Sequence, residues 1–570
     1  MSSVLDVSLR EGNTQNIKGS ATIGLLASRI FLEGPIIKER TSFLISLRRS
    51  FWDFFANPIQ RISQNPEVLS YNFFDVTLKI NHQLNPTNVI SASFYTGKDR
   101  FSTQVDESVT IDNQNFRLEE KYTLGWGNRI AMLRWTSGKA NPWLSKLTLY
   151  NTIYRFDISD QLRQNSNGTI RKFFLSFQSD IQNWTIAEDL QFSITHNHTL
   201  RLGANAGMYL FTPGAFILEQ DNDSTATEDR NASGFRIQTY EWNTYLEDEL
   251  GLGKKIQINA GLRLNGFISG DKQVIIPQPR VSVNFDINAK TSLRGSFSRM
   301  GQFIHVLSNS TVSMPLDLWV PSTPNIGPQS GWELSAGIFR NESKYWELTL
   351  EAYYKQLKGM VEYQEGANMF MDGVSTQLAN TPLWEQKVVT GKGWSYGIEG
   401  LLRKKEGRFD GWLSYSLAWH RRQFTLLNNG EPFPYKYDRR HDFDLVFHYL
   451  WKPNISFDLT WSYQSGQTGN LPVGGYAAHP WIDGFAFDDF IVFYGSRNSY
   501  RFKPYHRLDV GITLKKSRWG GTQSWKLGVY NLYNRANPFA VSVYGRPGTA
   551  SVIESSLFPI LPIVSYQWAF

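Results

Sequence analysis

The chain has 570 residues, a net charge of +7, 19% charged and 15% aromatic residues, and a mean hydropathy of −0.35. With no cysteine, disulfide scaffolds, thiolate metal sites and cysteine nucleophiles are excluded, and no basic run argues for nucleic acid. No stretch has the roughly 20 consecutive apolar residues of a transmembrane helix, so a membrane reading leaves only a closed β-barrel.

In chain order, Met1-Ser2-Ser3-Val4-Leu5-Asp6 carries neither a basic nor an apolar signal-peptide region. His196 and His198 share one strand face beside a short turn, without a third ligand in sequence reach. Period-two alternation then dominates. Ile256, Ile258, Ala260, Leu262 and Leu264 oppose Gln257, Asn259, Arg263 and Asn265. Gly393-Trp394-Ser395-Tyr396-Gly397 fits G-x-S-x-G, but the following residues continue as strand where a nucleophile elbow needs a helix. Leu413, Tyr415, Leu417 and Trp419 oppose Ser414, Ser416 and His420, and Asp438 to Asp442 reads as a charge ladder at a strand start. Phe457, Leu459, Trp461 and Tyr463 oppose Asp458, Thr460, Ser462 and Gln464, and Leu508, Val510, Ile512 and Leu514 oppose Asp509, Thr513 and Lys515.

Short turns near 251–254, 288–290 and 452–453 alternate with long connections near 301–330, 359–393, 465–501 and 535–561. That is the topology of a transmembrane barrel with short periplasmic turns and longer external loops. The expected fold is all-β, a large transmembrane antiparallel barrel of about 22 strands, a size whose lumen is normally plugged. An apolar lipid face and a polar lumen follow, placing Arg263, Glu347, Glu351, Glu399 and Asp509 inside as candidate lumen or plug-facing residues. The aromatic stretches containing Trp319, Tyr476 and Trp481 lie in external loops and are candidate ligand contacts, although membrane-interface belts look the same in sequence. Val564, Tyr566, Trp568 and Phe570 alternate up to the last residue, so Tyr566, Trp568 and Phe570 are the candidate assembly signal.

Several segments resemble the TonB-dependent outer-membrane receptor family. Ser2 to Gly12 is similar to the last strand of that family's plug, and Gly19 to Pro35 to its first barrel hairpin. Phe297-Ser298-Arg299-Met300, Trp394 to Glu399, Tyr437 to Asp442 and Tyr530 to Arg535 follow in family order. The resemblance implies residues 1–13 as a plug remnant and 14–570 as the barrel, with the plug domain largely absent. It implies location in the outer membrane and uptake of a scarce ligand such as a siderophore, cofactor or glycan, without enzymatic activity or a cofactor. The expected partners are outer-membrane lipid, the barrel assembly machinery and, given a plug and a TonB-binding segment upstream, the TonB energy-coupling complex. The alternative is a passive plugless channel or a structural barrel of an envelope complex.

Overall fold

The computed structural model describes residues 6–51, 53, 67–111, 114–138, 142–166, 169–222, 227–234, 236–307, 317–343, 345–365, 367, 384–477, 490–544, 551–556 and 558–570. Twenty-two antiparallel strands form one closed barrel. β1 (Lys18–Gly24), β2 (Ala27–Ile37) and β3 (Thr41–Ser50) begin the wall. β4 (Glu67–Asn85), β5 (Asn88–Ile111), β6 (Gln114–Ser137), β7 (Trp143–Ser166), β8 (Thr169–Thr195) and β9 (His198–Asn222) are the longest. β10 (Ile237–Leu252), β11 (Ile256–Ser269), β12 (Lys272–Asn288) and β13 (Thr291–Gln302) follow. Next are β14 (Gln329–Asn341), β15 (Trp346–Tyr363), β16 (Val388–Lys404) and β17 (Phe409–Phe424). β18 (His441–Lys452), β19 (Ile455–Gln464), β20 (Tyr505–Arg518), β21 (Gly521–Tyr530) and β22 (Leu561–Ala569) complete it.

Closure depends on the two ends of the described chain. β22 pairs with β21 on one side and with β1 on the other, setting Tyr566 opposite Ile23 and Trp568 opposite Ala21. Gly19 and Phe570 exchange both backbone hydrogen bonds, each 3.0 Å long, as a directly opposed antiparallel pair does. The Phe570 ring lies over Gly19, where an added Cβ would stand 2.7 Å from it.

The two faces differ as the alternation predicts. Phe457, Leu459 and Trp461 of β19 stand beside Tyr449, Phe447 and Leu445 of β18 and beside Ile512, Val510 and Leu508 of β20. That continuous apolar surface faces outward. On the inner side Gln464 Nε2 donates to Asp442 Oδ2 at 3.1 Å and Ser462 donates to Asp444. The run from Phe409 to Trp419 on β17, at about 3.3 Å per residue and a tilt near 40°, covers roughly 25 Å, the height of an outer-membrane apolar band. Aromatic rings mark both its edges, with Phe409 on Phe447 (5.9 Å) at one and Tyr396 on Trp419 (5.3 Å) at the other.

One expectation about connections is corrected. β5 joins β6, and β7 joins β8, through only two residues at the external end, as β1 joins β2 and β11 joins β12, whereas the other external connections are long. Strands of 24 and 27 residues rise far beyond the lipid by themselves, so the protein's outer extension there is sheet and not loop. The segment expected as a plug strand also differs: its described part, residues 6–13, forms no strand. It lies along the inner wall, where Arg10 pairs with Glu33 at 2.8 Å and Lys79 Nζ donates to the Leu9 carbonyl at 2.8 Å.

Candidate functional site

The connection from β13 to β14 turns into the lumen as a small hairpin, Ile304–Leu307 paired with Leu318–Pro321. Its inward residues Leu307, Leu318 and Val320 are fully buried and share one apolar cluster with Leu124 of β6, Phe156 of β7 and Phe177 of β8. Tyr363, Trp384 and Val388 close the cluster from the β15–β16 side. A dry core therefore stands inside the external mouth, where alternation alone predicts a polar lumen. Phe303 anchors one end of the hairpin by stacking 4.6 Å from Phe267. A turn holds the other end: the Thr323 hydroxyl accepts from Ile326 N at 3.1 Å, and Lys272 Nζ donates to the Pro324 carbonyl at 2.7 Å.

His305 is buried on this hairpin, its Nε2 3.0 Å from Ser322 Oγ. Burial pushes its pKa down to about 4, with a hydrogen bond to the Gly327 backbone opposing the shift. Beside it lies a cavity of about 550 Å³, walled by Glu333, Glu351, Tyr353, Lys355, Glu399 and His420. These residues fall on the inner parity of β14 to β17. Lys355, only 6% exposed, holds Glu333 at 2.7 Å. Glu351 and Glu399 occupy directly opposed positions on β15 and β16. Like charges so placed repel across the ladder. The cavity thus offers acceptor oxygens and a phenol to a ligand bearing cationic or hydroxyl groups.

The rim is held by buried ion pairs. Glu362 binds Arg422 at 2.6 Å and Arg497 at 3.3 Å, and the Arg422 guanidinium lies 3.6 Å from the Tyr435 ring centre. Asp438, 1% exposed, accepts from His420 N at 2.8 Å and from Arg501 Nη2 at 2.6 Å. The segment read as a charge ladder therefore ties two external connections, 425–440 and 465–504, together at the mouth.

The residues singled out from sequence do not converge on one site. Glu351 and Glu399 meet in the cavity. Glu347 pairs with Lys405 at 2.8 Å near the periplasmic end. Asp509 accepts from Arg507 Nε at 3.0 Å and from Asn531 N at 2.9 Å. Arg263 stands opposite Tyr245 and Gln278. Trp319 is 36% exposed between the buried Leu318 and Val320. Tyr476 belongs to the loop strand Pro472–Ala477; its side chain, like the whole of Trp481, is outside the described residues. The G-x-S-x-G match lies wholly inside β16, and His198 Nε2 is 2.8 Å from Asp248 Oδ1. His305, Glu333, Lys355 and Glu362 escaped the sequence reading. For Lys355 a signal existed, since Glu347, Glu351, Tyr353 and Lys355 share one alternating face.

Known families match this geometry. The family described as TonB dependent receptor-like, beta-barrel matches residues 52–532. The chain belongs to it. No curated protein sequence matches the chain. Among solved structures, the ferripyoverdine receptor of the outer membrane of Pseudomonas aeruginosa is similar with a TM-score of 0.62 at 12% identity, over 98% of this chain and 73% of that one. The copper transporter OprC gives 0.64 at 10%, over 98% and 81%. The ferric-catecholate import receptor Fiu of E. coli gives 0.57 at 11%, over 98% and 82%. At such identities the likeness speaks of fold. As a TonB-dependent receptor barrel the protein is an outer-membrane transport component.

Proposed function

We propose that this barrel is the conduit of an active uptake receptor for a scarce external ligand, of the siderophore, cofactor or glycan class. The observation that carries the reading is the cavity at the external mouth, enclosed by the β13–β14 hairpin and edged by the directly opposed Glu351 and Glu399. The relatives named for ferripyoverdine, ferric-catecholate and copper support uptake as the general task. Trp319, Tyr476 and Trp481 are proposed as further ligand contacts from the loops. Arg263, Glu347 and Asp509 are proposed as wall residues facing a plug, and energy comes from TonB acting through that plug. Residues 1–13 are proposed as its remnant and 14–570 as the barrel domain. Tyr566, Trp568 and Phe570 are proposed as the strand read by the assembly machinery.

The test is a growth screen of a receptor-deficient strain carrying the full-length gene, with each ligand class as limiting nutrient. Rescue by one ligand, reduced at least severalfold by E351Q/E399Q at equal surface level, is the expected result. No dependence on any ligand, together with large steady conductance of the purified protein in planar bilayers, would overturn uptake in favour of a passive channel.

A further inference from the structure

The outer surface of β13 to β17 is ordered in rows, because register aligns one outward residue from each strand. Leu293, Ile338, Leu350, Gly400 and Tyr415 form one row, and Gly295, Ala336, Ala352, Ile398 and Leu417 the next toward the outside. Above them come Phe297, Leu334, Tyr354, Tyr396 and Trp419, a band of stacked rings. Then the chemistry changes. The following row reads Arg299, Trp332, Gln356, Trp394 and Arg421, and the outermost Gly301, Ser330, Lys358, Lys392 and Gln423.

Arg299, Lys358, Lys392 and Arg421 are all exposed, and none has an ion-pair partner among the described residues. No carboxylate occurs in the three outer rows. Lys358 and Lys392 are directly opposed, the arrangement in which like charges destabilise a sheet. The periplasmic end of the same outer face is different: Arg340 pairs with Glu342, and Lys404 lies over the Tyr345 and Phe409 rings. Outward-facing cations of these strands with neither a carboxylate nor a ring partner among the described residues thus lie at the outer edge, one and two rows beyond the aromatic band. A row is two residues, about 5 Å along the barrel axis at the usual tilt. That height is the headgroup layer of the outer leaflet, directly above the lipid-facing rings.

We propose that the outer face of β13 to β17 binds the phosphorylated headgroup of an outer-leaflet lipid. Arg299, Lys358, Lys392 and Arg421 pair with its phosphates, and Trp332 and Trp394 lie against the boundary between headgroup and acyl chains. Arginine suits this role through its bidentate fork, and lysine as a point charge. The apolar rows immediately below supply the acyl contact, so a lipid and not a free anion satisfies the whole surface. The site is on the outside of the wall and does not rest on the uptake reading, although the Trp394 and Arg421 positions also border the cavity inside the mouth.

The test uses the full chain in detergent and a hexa-acylated, bis-phosphorylated disaccharide lipid as probe, read by native mass spectrometry. Tight retention of that lipid is expected, weakened at least tenfold by R299Q/K358Q/K392Q/R421Q, by removing both phosphates from the probe, or by 0.5 M salt. K358R/K392R should retain it. Binding by the quadruple variant within twofold of the unaltered chain, equal binding of the dephosphorylated lipid, or full displacement by millimolar inorganic phosphate would each overturn the proposal. Should the quadruple variant fail to form a heat-modifiable barrel, Ser330→Cys carrying a photo-crosslinker decides instead. Adducts with the phosphorylated lipid are expected at 330 and not at a Met208→Cys control on β9; equal or absent adducts at 330 contradict the site.

Discussion

The two sides of the barrel reach the outside by different means. β5 to β9 do so as sheet, with strands of 24 to 27 residues and only two residues between β5 and β6 and between β7 and β8. β13 to β22 are shorter, and their external connections carry hairpins, buried ion pairs and the apolar cluster around Met360, Phe424 and Phe433. Backbone ladders satisfy their own polar groups at any height, whereas loops must find partners among themselves. The tall side therefore needs little side-chain chemistry above the membrane, and the short side is built from it. The two meet where Leu307, Leu318 and Val320 pack on Leu124, Phe156 and Phe177, so the sheet side buttresses the loop side.

That division orders the expected effects. Leu318→Asp places a carboxylate in the dry contact between the sides, at a cost of several kcal/mol. Heat-modifiable migration should remain, because no barrel ladder is touched, while protease cleavage of the β13–β14 connection rises sharply. Glu362→Ala leaves Arg422 and Arg497 buried without their shared carboxylate, a loss of about 3–5 kcal/mol for a broken buried pair. Faster hydrogen exchange over 425–440, with β5 to β9 unchanged, is the expected readout. His305 makes the hairpin pH-sensitive. Its folded pKa is lowered to about 4 from 6.5, so the unfolded hairpin takes up the proton first. Its contribution is complete above pH 6.5 and is lost as pH falls from 6.5 toward 4; exchange of 304–321 should accelerate over that window, and His305→Gln should flatten the profile. The smallest effect belongs to the tall side. Arg117 and Asp106, an exposed pair 2.9 Å apart on β5 and β6, should tolerate Asp106→Asn with no measurable change in exchange.

Alternation made the barrel legible in sequence because each strand has an apolar and a polar face, as in Phe457 to Gln464. The terminal strand was legible too, since Val564, Tyr566, Trp568 and Phe570 need no distant partner to show their parity. The inward hairpin was not. Leu318-Trp319-Val320 reads equally as an interfacial belt or a ligand loop, and its burial is decided by Phe156 and Phe177, more than 140 residues upstream. Lumen charges were assignable by parity but not by partner: nothing in local sequence joins Glu347 to Lys405 or Glu362 to Arg497. The outward cations carry the same lesson. Arg299, Lys358, Lys392 and Arg421 look like scattered surface charge until the register of five strands brings them into two rows.

The central claim is that one face of each strand meets lipid and the other a lumen, and β19 tests it most directly. The chain has no cysteine, so single cysteines at Leu459 and Thr460 report those positions alone. In intact outer membranes, a bilayer-restricted quencher should reach a fluorophore at 459 and not one at 460, whereas a water-soluble maleimide should spare 459. Ready labelling of 459 by the water-soluble probe would contradict the account.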